Sequence, residues 1–114
     1  MKLSKATAGL AALAQEDRLA IYRLLVKAGP DGTTPGSIAQ RLKLPAPTLS
    51  FHLAKLAAAG LIWSRRDGRH VVYAPDLTAM NALVAFLTEE CCGGNPDLCR
   101  PTVRRASRKE TVDV

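Results

Sequence analysis

Apolar side chains recur every three or four residues through the first 28 positions, which is the period of an α-helix with one buried face. The pattern is interrupted by the polar run at residues 15–17, and it stops at Gly29-Pro30. Two opening helices are therefore predicted. The residues that recur at this spacing are Leu3, Ala6, Leu10 and Leu13 in the first helix and Ile21, Leu24, Leu25 and Ala28 in the second.

The next two helical segments are short and are separated by a turn. Thr34 is a good N-cap residue, and the proline that follows it suits the first position of a helix, so a helix is predicted from there to Leu42. The prolines in residues 44–47 predict a turn. A second helix is predicted over residues 48–59, with Leu49, Leu53 and Leu56 on one face. Two helices joined in this way form a helix-turn-helix.

A β-hairpin is predicted directly after these helices. The runs at residues 61–65 and 70–74 are rich in β-forming residues, and Asp67-Gly68 between them is a strong turn signal. Arg65, Arg66 and Arg69 make the tip cationic. A cationic hairpin that follows a helix-turn-helix is what a DNA-binding wing requires, because such a tip can contact phosphates. The alternative is an ordinary solvated turn.

Asp76 opens a last helix that is apolar nearly all round. A helix of this kind needs cover on two sides, which in so small a chain favours a homodimer. The fold class predicted is thus mainly α with a small β-hairpin, a homodimeric winged helix-turn-helix. Residues 1–92 form its DNA-binding and dimerisation domain, and residues 93–114 form a cysteine-containing turn and a basic, disordered tail.

Composition and charge agree with one small DNA-binding domain. The chain has 114 residues and a net charge of +6, and residues 41–73 carry six basic side chains against one acidic side chain. No run approaches 18 apolar residues, so the sequence predicts no membrane span. The cysteines are odd in number and clustered, which is typical of a reducing compartment, and a cytoplasmic location is expected.

All three cysteines, Cys91, Cys92 and Cys99, lie within nine residues. A disulfide between adjacent cysteines is strained, whereas the turn-forming residues 93–96 can bring Cys99 toward the pair. Zinc normally takes four nitrogen or sulfur ligands, and no fourth soft ligand lies nearby. Three thiolates therefore favour As(III), or Sb(III), as the bound ion, and no organic cofactor is expected.

Other interpretations of the cysteines stay open. Asp97 or Glu90 could complete a weaker zinc site, Cys99 could form a disulfide with one of the pair, or the three thiols could be unrelated. A thiol redox switch is a further alternative. A small thiol enzyme such as an arsenate reductase is disfavoured, because no cationic cradle surrounds the cysteines. A regulator is therefore expected rather than an enzyme.

The order of these elements resembles the ArsR/SmtB family of winged-helix metal-responsive repressors over residues 8–92. Residues 13–21, LAQEDRLAI, are similar to the family's opening LADPTRLRIL, and residues 48–62, TLSFHLAKLAAAGLI, are similar to its recognition segment TVSHHLKVLREAGLV. The resemblance implies a homodimer that binds double-stranded operator DNA and leaves it when an inducer binds. By the same resemblance, the expected DNA contacts on the recognition helix are Thr48, Ser50, His52 and Lys55.

Three of these residues have an alternative role, and two further DNA contacts are expected on the wing. Thr48 and Ser50 could instead cap the helix locally, and His52 could hydrogen bond within the helix pair. Arg66 and Arg69 on the wing are expected to contact phosphates or enter a minor groove.

The chain also departs from the family pattern. Residues 34–42 lack the cysteine cluster of the common arsenic sensors, and only Asp76 remains of the Asp and His pairs of the zinc sensors. The group at Cys91, Cys92 and Cys99 is similar to the relocated arsenite site of some arsenic-responsive members. Pro45 and Pro47 replace the small polar residues usual where the recognition helix begins.

Overall fold

The computed structural model describes residues 1–89, and within them it has five helices and one two-stranded antiparallel sheet. The order confirms the predicted mainly helical, winged helix-turn-helix architecture. The cysteines lie outside the described residues. The elements are α1 (Leu3–Leu13), α2 (Glu16–Ala28), α3 (Pro35–Leu42), α4 (Ala46–Ala58), β1 (Ile62–Asp67), β2 (His70–Pro75) and α5 (Leu77–Thr88).

The chain divides into two compact units, Met1–Leu83 and Val84–Val114. The first contains α1 to α4, the hairpin and the beginning of α5. The second begins inside α5, and only its first six residues belong to the part that the structure describes. The predicted domain boundary between residues 92 and 93 stays a prediction.

The core of the first unit lies where α2, α3 and α4 meet. Each helix contributes the apolar stripe that its sequence period predicts, so the helix-turn-helix packs on α2. Burial of such side chains supplies most of the stabilisation of a small domain. The largest fully enclosed side chains are Ile21, Leu25, Ile38, Leu49 and Leu56.

Side-chain caps start three of the helices. The hydroxyl of Thr34 accepts a hydrogen bond from the backbone N–H of Ser37 at 3.2 Å, as predicted. The carboxylate of Asp76 accepts one from the N–H of Ala79 at 3.0 Å, which confirms Asp76 as the start of α5. The amide oxygen of Gln15 does the same for α2. These bonds satisfy N–H groups that have no partner within the helix.

The recognition helix α4 begins earlier than predicted. It starts at Ala46, two residues before the expected Thr48, and Pro47 lies in its first turn. Proline is tolerated there because the N–H groups of the first turn have no intrahelical acceptor. The connection from α3 is correspondingly tight, and Lys43 adopts a left-handed conformation, with a φ angle of 58°, to end that helix.

The hairpin turn lies one residue later than predicted. Strand pairing extends to Asp67 and His70, so the turn consists of Gly68 and Arg69 rather than being centred on Asp67-Gly68. Gly68 has a φ of 68°, a conformation that glycine adopts without strain. Arg66 accordingly belongs to β1, opposite Val71, and not to the turn.

The loop between α2 and α3 is tied to the wing. Thr33 and Tyr73 exchange backbone hydrogen bonds of 2.9 and 2.8 Å, and this single antiparallel β-bridge joins the loop to β2. Arg65 also donates to the carbonyl oxygen of Asp31 at 2.9 Å. The wing is therefore attached to the loop that leads into the helix-turn-helix.

The second helix carries a buried tyrosine. Tyr22 of α2 is buried, and its hydroxyl has no hydrogen-bond partner among residues 1–89. Burial raises the pKa of Tyr22, and the nearby carboxylate of Asp76 raises it further. The phenol therefore stays protonated at neutral pH.

The last helix leaves apolar side chains uncovered. Of its described residues only Leu83 is buried, whereas Leu77, Val84 and Leu87 are each close to half exposed. No helix in the described part of the chain is long and apolar enough to cross a membrane.

We expect Gly32→Ala to destabilise the domain by about 1–3 kcal/mol, the usual range for a strained backbone position. Gly32 has a φ of 87°, and a Cβ atom there would lie 2.9 Å from the carbonyl oxygen of Tyr73. Urea unfolding at a fixed protein concentration measures the change. Gly36→Ala is the matched control, because that site in α3 has open space, and it should be neutral or slightly stabilising. Equal stabilities for the two variants would contradict the strain argument.

Candidate nucleic-acid interface

The solvent face of α4 carries most of the predicted contacts. Ser50 and Lys55 are exposed and Thr48 is half-buried, while the leucine stripe faces the core. Neither hydroxyl forms a hydrogen bond within the described residues, and the N-cap position of α4 is Pro45. The capping alternative for Thr48 and Ser50 therefore finds no support, and both can face a ligand.

The three arginines of the wing differ in their contacts. The guanidinium of Arg65 bonds to Asp31 and lies 5.8 Å from the centre of the Trp63 ring, so it anchors the hairpin. Arg66 and Arg69 are exposed and form no ion pair with any described residue. Both therefore remain available to an anionic partner such as a phosphate.

His52 lies on the buried face of α4. Its side chain is buried, with 7% of the residue exposed, and its Nδ1 atom lies 3.3 Å from Nη1 of Arg18. Because a guanidinium only donates hydrogen bonds, we assign the ring proton to Nε2, which faces the Asp17 carboxylate at 3.7 Å. This placement gives His52 little surface for a base contact. The bond joins His52 to Arg18 of α2 and not, as the alternative interpretation had it, to a group within the helix pair.

Arg18 links His52 to a third helix. Its Nε donates to the carbonyl oxygen of Ala12 at 2.6 Å, near the end of α1, where carbonyl groups lack intrahelical donors. One partly buried side chain thus joins α1, α2 and α4. Sequence reasoning assigned Arg18 no role of its own, because nothing in the helical period shows which distant groups a guanidinium reaches.

Phe51 is a second residue that sequence reasoning missed. It is 55% exposed, and the Nζ atom of Lys55 lies 5.3 Å from the centre of its ring. The His52 ring lies edge-on at 5.6 Å. The period could have indicated this exposure, since Phe51 is two positions from both Leu49 and Leu53 and therefore points about 200° away from the leucine stripe.

The described residues contain no group of three or more His, Cys, Asp or Glu side chains that could hold a metal ion. The predicted ligands Cys91, Cys92 and Cys99 lie outside the described residues. The As(III) site therefore stays a prediction from the sequence.

Comparison with known proteins identifies relatives over most of the chain. Residues 13–65 match a family model described as a helix-turn-helix domain. The HTH-type transcriptional regulator YgaV of Escherichia coli is 35% identical over 88 residues, which is 77% of this chain and 87% of YgaV.

Solved structures agree with this comparison. Reduced HlyU from Vibrio cholerae is 33% identical and superposes with a TM-score of 0.60, covering 78% of this chain and 90% of HlyU. The homodimeric winged helix-turn-helix domain of Mb0332 from Mycobacterium bovis, described as a possible ArsR-family transcriptional regulator, is 28% identical with a TM-score of 0.62. That match covers 82% of this chain and 86% of the domain.

We expect Arg18→Ala to destabilise the protein by about 2–3 kcal/mol, because it leaves the Ala12 carbonyl and the His52 ring without their charged donor. Arg23→Ala is the matched control on the same helix, since Arg23 is exposed and forms no side-chain hydrogen bond or ion pair within residues 1–89. It should change stability by no more than about 0.5 kcal/mol. Urea midpoints measure both, and equal losses would show that Arg18 is an ordinary surface residue.

Proposed function

Because this chain belongs to the ArsR-type family of winged helix-turn-helix transcriptional regulators, we propose that it is a homodimeric repressor that binds operator DNA and leaves it when As(III) binds. Sb(III) is the other inducer of suitable chemistry. The family is one of regulators, so the thiol enzyme weighed from the sequence is not carried further. A cytoplasmic location, where thiols stay reduced, is part of the proposal.

The observation that carries the DNA-binding part is the exposure of Ser50, Lys55, Arg66 and Arg69 on two consecutive structural units, the recognition helix and the wing. In a helix-turn-helix the recognition helix enters the major groove, and hydroxyl or amine groups near its beginning contact base edges and phosphates. We assign Ser50 and Thr48 to this role and Lys55 to a phosphate. Arg66 and Arg69 contact the backbone or a minor groove beside it. His52 supports the helix from behind.

Two observations support a homodimer. The Mb0332 relative is a homodimeric winged-helix domain. In this chain α1 exposes Leu3 and Leu10, and α5 exposes Leu77, Val84 and Leu87, which is apolar surface that association can cover. A dimer of this type presents its recognition helices to major grooves about 34 Å apart, one turn of DNA.

The inducer part rests on the sequence. Three thiols within nine residues match the coordination number of As(III), and Cys91 and Cys92 come three and four positions after Thr88, the last residue of α5. Ligation that joins Cys99 to them constrains the chain at the end of that helix. A preference of about 1.4 kcal/mol for the state that does not bind DNA is enough to lower DNA affinity tenfold.

A thiol redox regulator is the second candidate. It is supported by the three clustered thiols of this chain, and the structure of the relative HlyU is described as that of a reduced form. Here two cysteines would lose two protons and two electrons to peroxide, giving a disulfide and water. HlyU is also described as a transcriptional activator, so repression, as opposed to activation, belongs to the proposal.

We expect DNA affinity to fall steeply as salt rises, because contacts to phosphates release counterions. Replacing Arg66 and Arg69 together by Ala should flatten the plot of log K against log salt by roughly one unit for each lost contact. Fluorescence anisotropy with a duplex selected by the wild-type protein from random sequences measures the slope.

Lys5→Ala is the control, because Lys5 is an exposed cation on α1, outside the proposed interface. It should leave the slope unchanged. If the double arginine variant also keeps the wild-type slope, the wing does not contact DNA.

We expect the Cys91→Ser/Cys92→Ser variant to bind the same duplex with wild-type affinity and to stay bound in arsenite, because it lacks two of the three proposed sulfur ligands. The wild-type protein should release DNA and bind one As(III) per monomer, with three sulfur neighbours in X-ray absorption. Release by peroxide but not by arsenite would favour the redox candidate. Release of the double variant at wild-type arsenite concentrations would exclude these cysteines as the sensor.

A further inference from the structure

One large apolar side chain faces solvent on the recognition helix. Phe51 is the only large hydrophobic residue of α4 that is exposed, and it lies beside Ser50 on the face that we assign to DNA. The same face continues through Ala54 and Ala58, which carry only a methyl group. Phe51 therefore extends further from the helix than the other uncharged residues of this face.

The ring of Phe51 is held from two sides. Lys55, one helical turn later, places its ammonium group 5.3 Å from the ring centre, a cation–π distance. The His52 ring meets it edge-on at 5.6 Å, and His52 is itself fixed by Arg18. A side chain supported in this way is already ordered before it meets a partner, so less entropy is lost when it binds.

The chemistry of the major groove limits what such a ring can recognise. Most groups at the base edges in the major groove are hydrogen-bond donors and acceptors, which a phenyl ring cannot satisfy. The C5 methyl group of thymine is the apolar exception, and phenylalanine is among the side chains that contact it. The neighbouring ammonium group of Lys55 is suited to a phosphate.

We propose that Phe51 is a specificity-determining residue that reads the C5 methyl group of a thymine in each operator half-site, with His52 and Arg18 as the residues that position it. This inference rests on the proposed DNA-binding function and adds the base that one residue reads. Isolated exposed apolar residues are common on protein surfaces, so the test must separate a methyl contact from general packing.

The experiment replaces single thymines of the selected duplex by uracil, which lacks only the methyl group. For the wild-type protein, one position per half-site should weaken binding about fourfold, and substitution in both half-sites about fifteenfold, as expected for one methyl-sized apolar contact each. Phe51→Ala should bind the unmodified duplex more weakly and should lose no further affinity at that position. The coupling between the two changes is the measured quantity.

Two variants keep the test decisive. Phe51→Leu retains an apolar contact and should keep part of the methyl sensitivity, while Phe51→Asn should lose it, which answers the question even if Phe51→Ala binds too weakly to measure. Leu19→Ala is the matched control, because Leu19 is an apolar residue of similar exposure on α2. It should show the full wild-type sensitivity to uracil.

Three results would overturn the inference. Equal uracil effects in the wild-type and Phe51→Ala proteins would mean that Phe51 has another partner. Equal uracil effects in the Leu and Asn variants would lead to the same conclusion. A wild-type protein that selects no duplex at all would overturn the proposed function together with this inference, whereas the first two results leave the function intact.

Discussion

The guanidinium group of Arg18 makes the contacts on which the placement of the recognition helix depends. It donates to the Ala12 carbonyl in the last turn of α1 and contacts the His52 ring on the buried face of α4. The backbone N–H of Arg18 donates separately to the side chain of Gln15 at the start of α2. Hydrophobic burial brings these helices together but permits sliding, because it has no direction. A planar group with bonds to two other helices removes that freedom.

The wing is positioned by a second set of polar contacts, on the other side of the helix-turn-helix. The bridge between Thr33 and Tyr73 and the bond from Arg65 to Asp31 join the hairpin to the loop before α3. The recognition helix and the wing, the two parts of the proposed interface, are thus held by contacts with α2 and with the loop that follows it, respectively. A displacement of α2 relative to α3 would therefore alter the spacing between the wing and the recognition helix.

The helix order, the hairpin and the start of α5 could be predicted from the sequence because they depend on local period and on capping residues. The details that were wrong depend on competition between neighbours. The observed helix α4 starts at Ala46 and not at Thr48, because proline is acceptable in a first turn. The observed hairpin turn is Gly68-Arg69, because Asp67 and His70 form one more pair of the strand ladder than predicted. The helical period places His52 on the buried face together with Leu49 and Leu56, but it could not show that the partner of the ring is Arg18, 34 positions away. The cysteine site remains a prediction from thiol count and spacing.

Trp63 gives this architecture an intrinsic optical probe. It is the single tryptophan of the chain, it lies in β1 opposite Ala74, and the Arg65 guanidinium that anchors the wing sits against its ring. Indole emission depends on the polarity and charge around the ring, so tryptophan fluorescence of the unlabelled protein reports on the base of the wing and on no other region. Changes at the hairpin can therefore be followed in real time, in the native sequence, while global unfolding is monitored separately by circular dichroism.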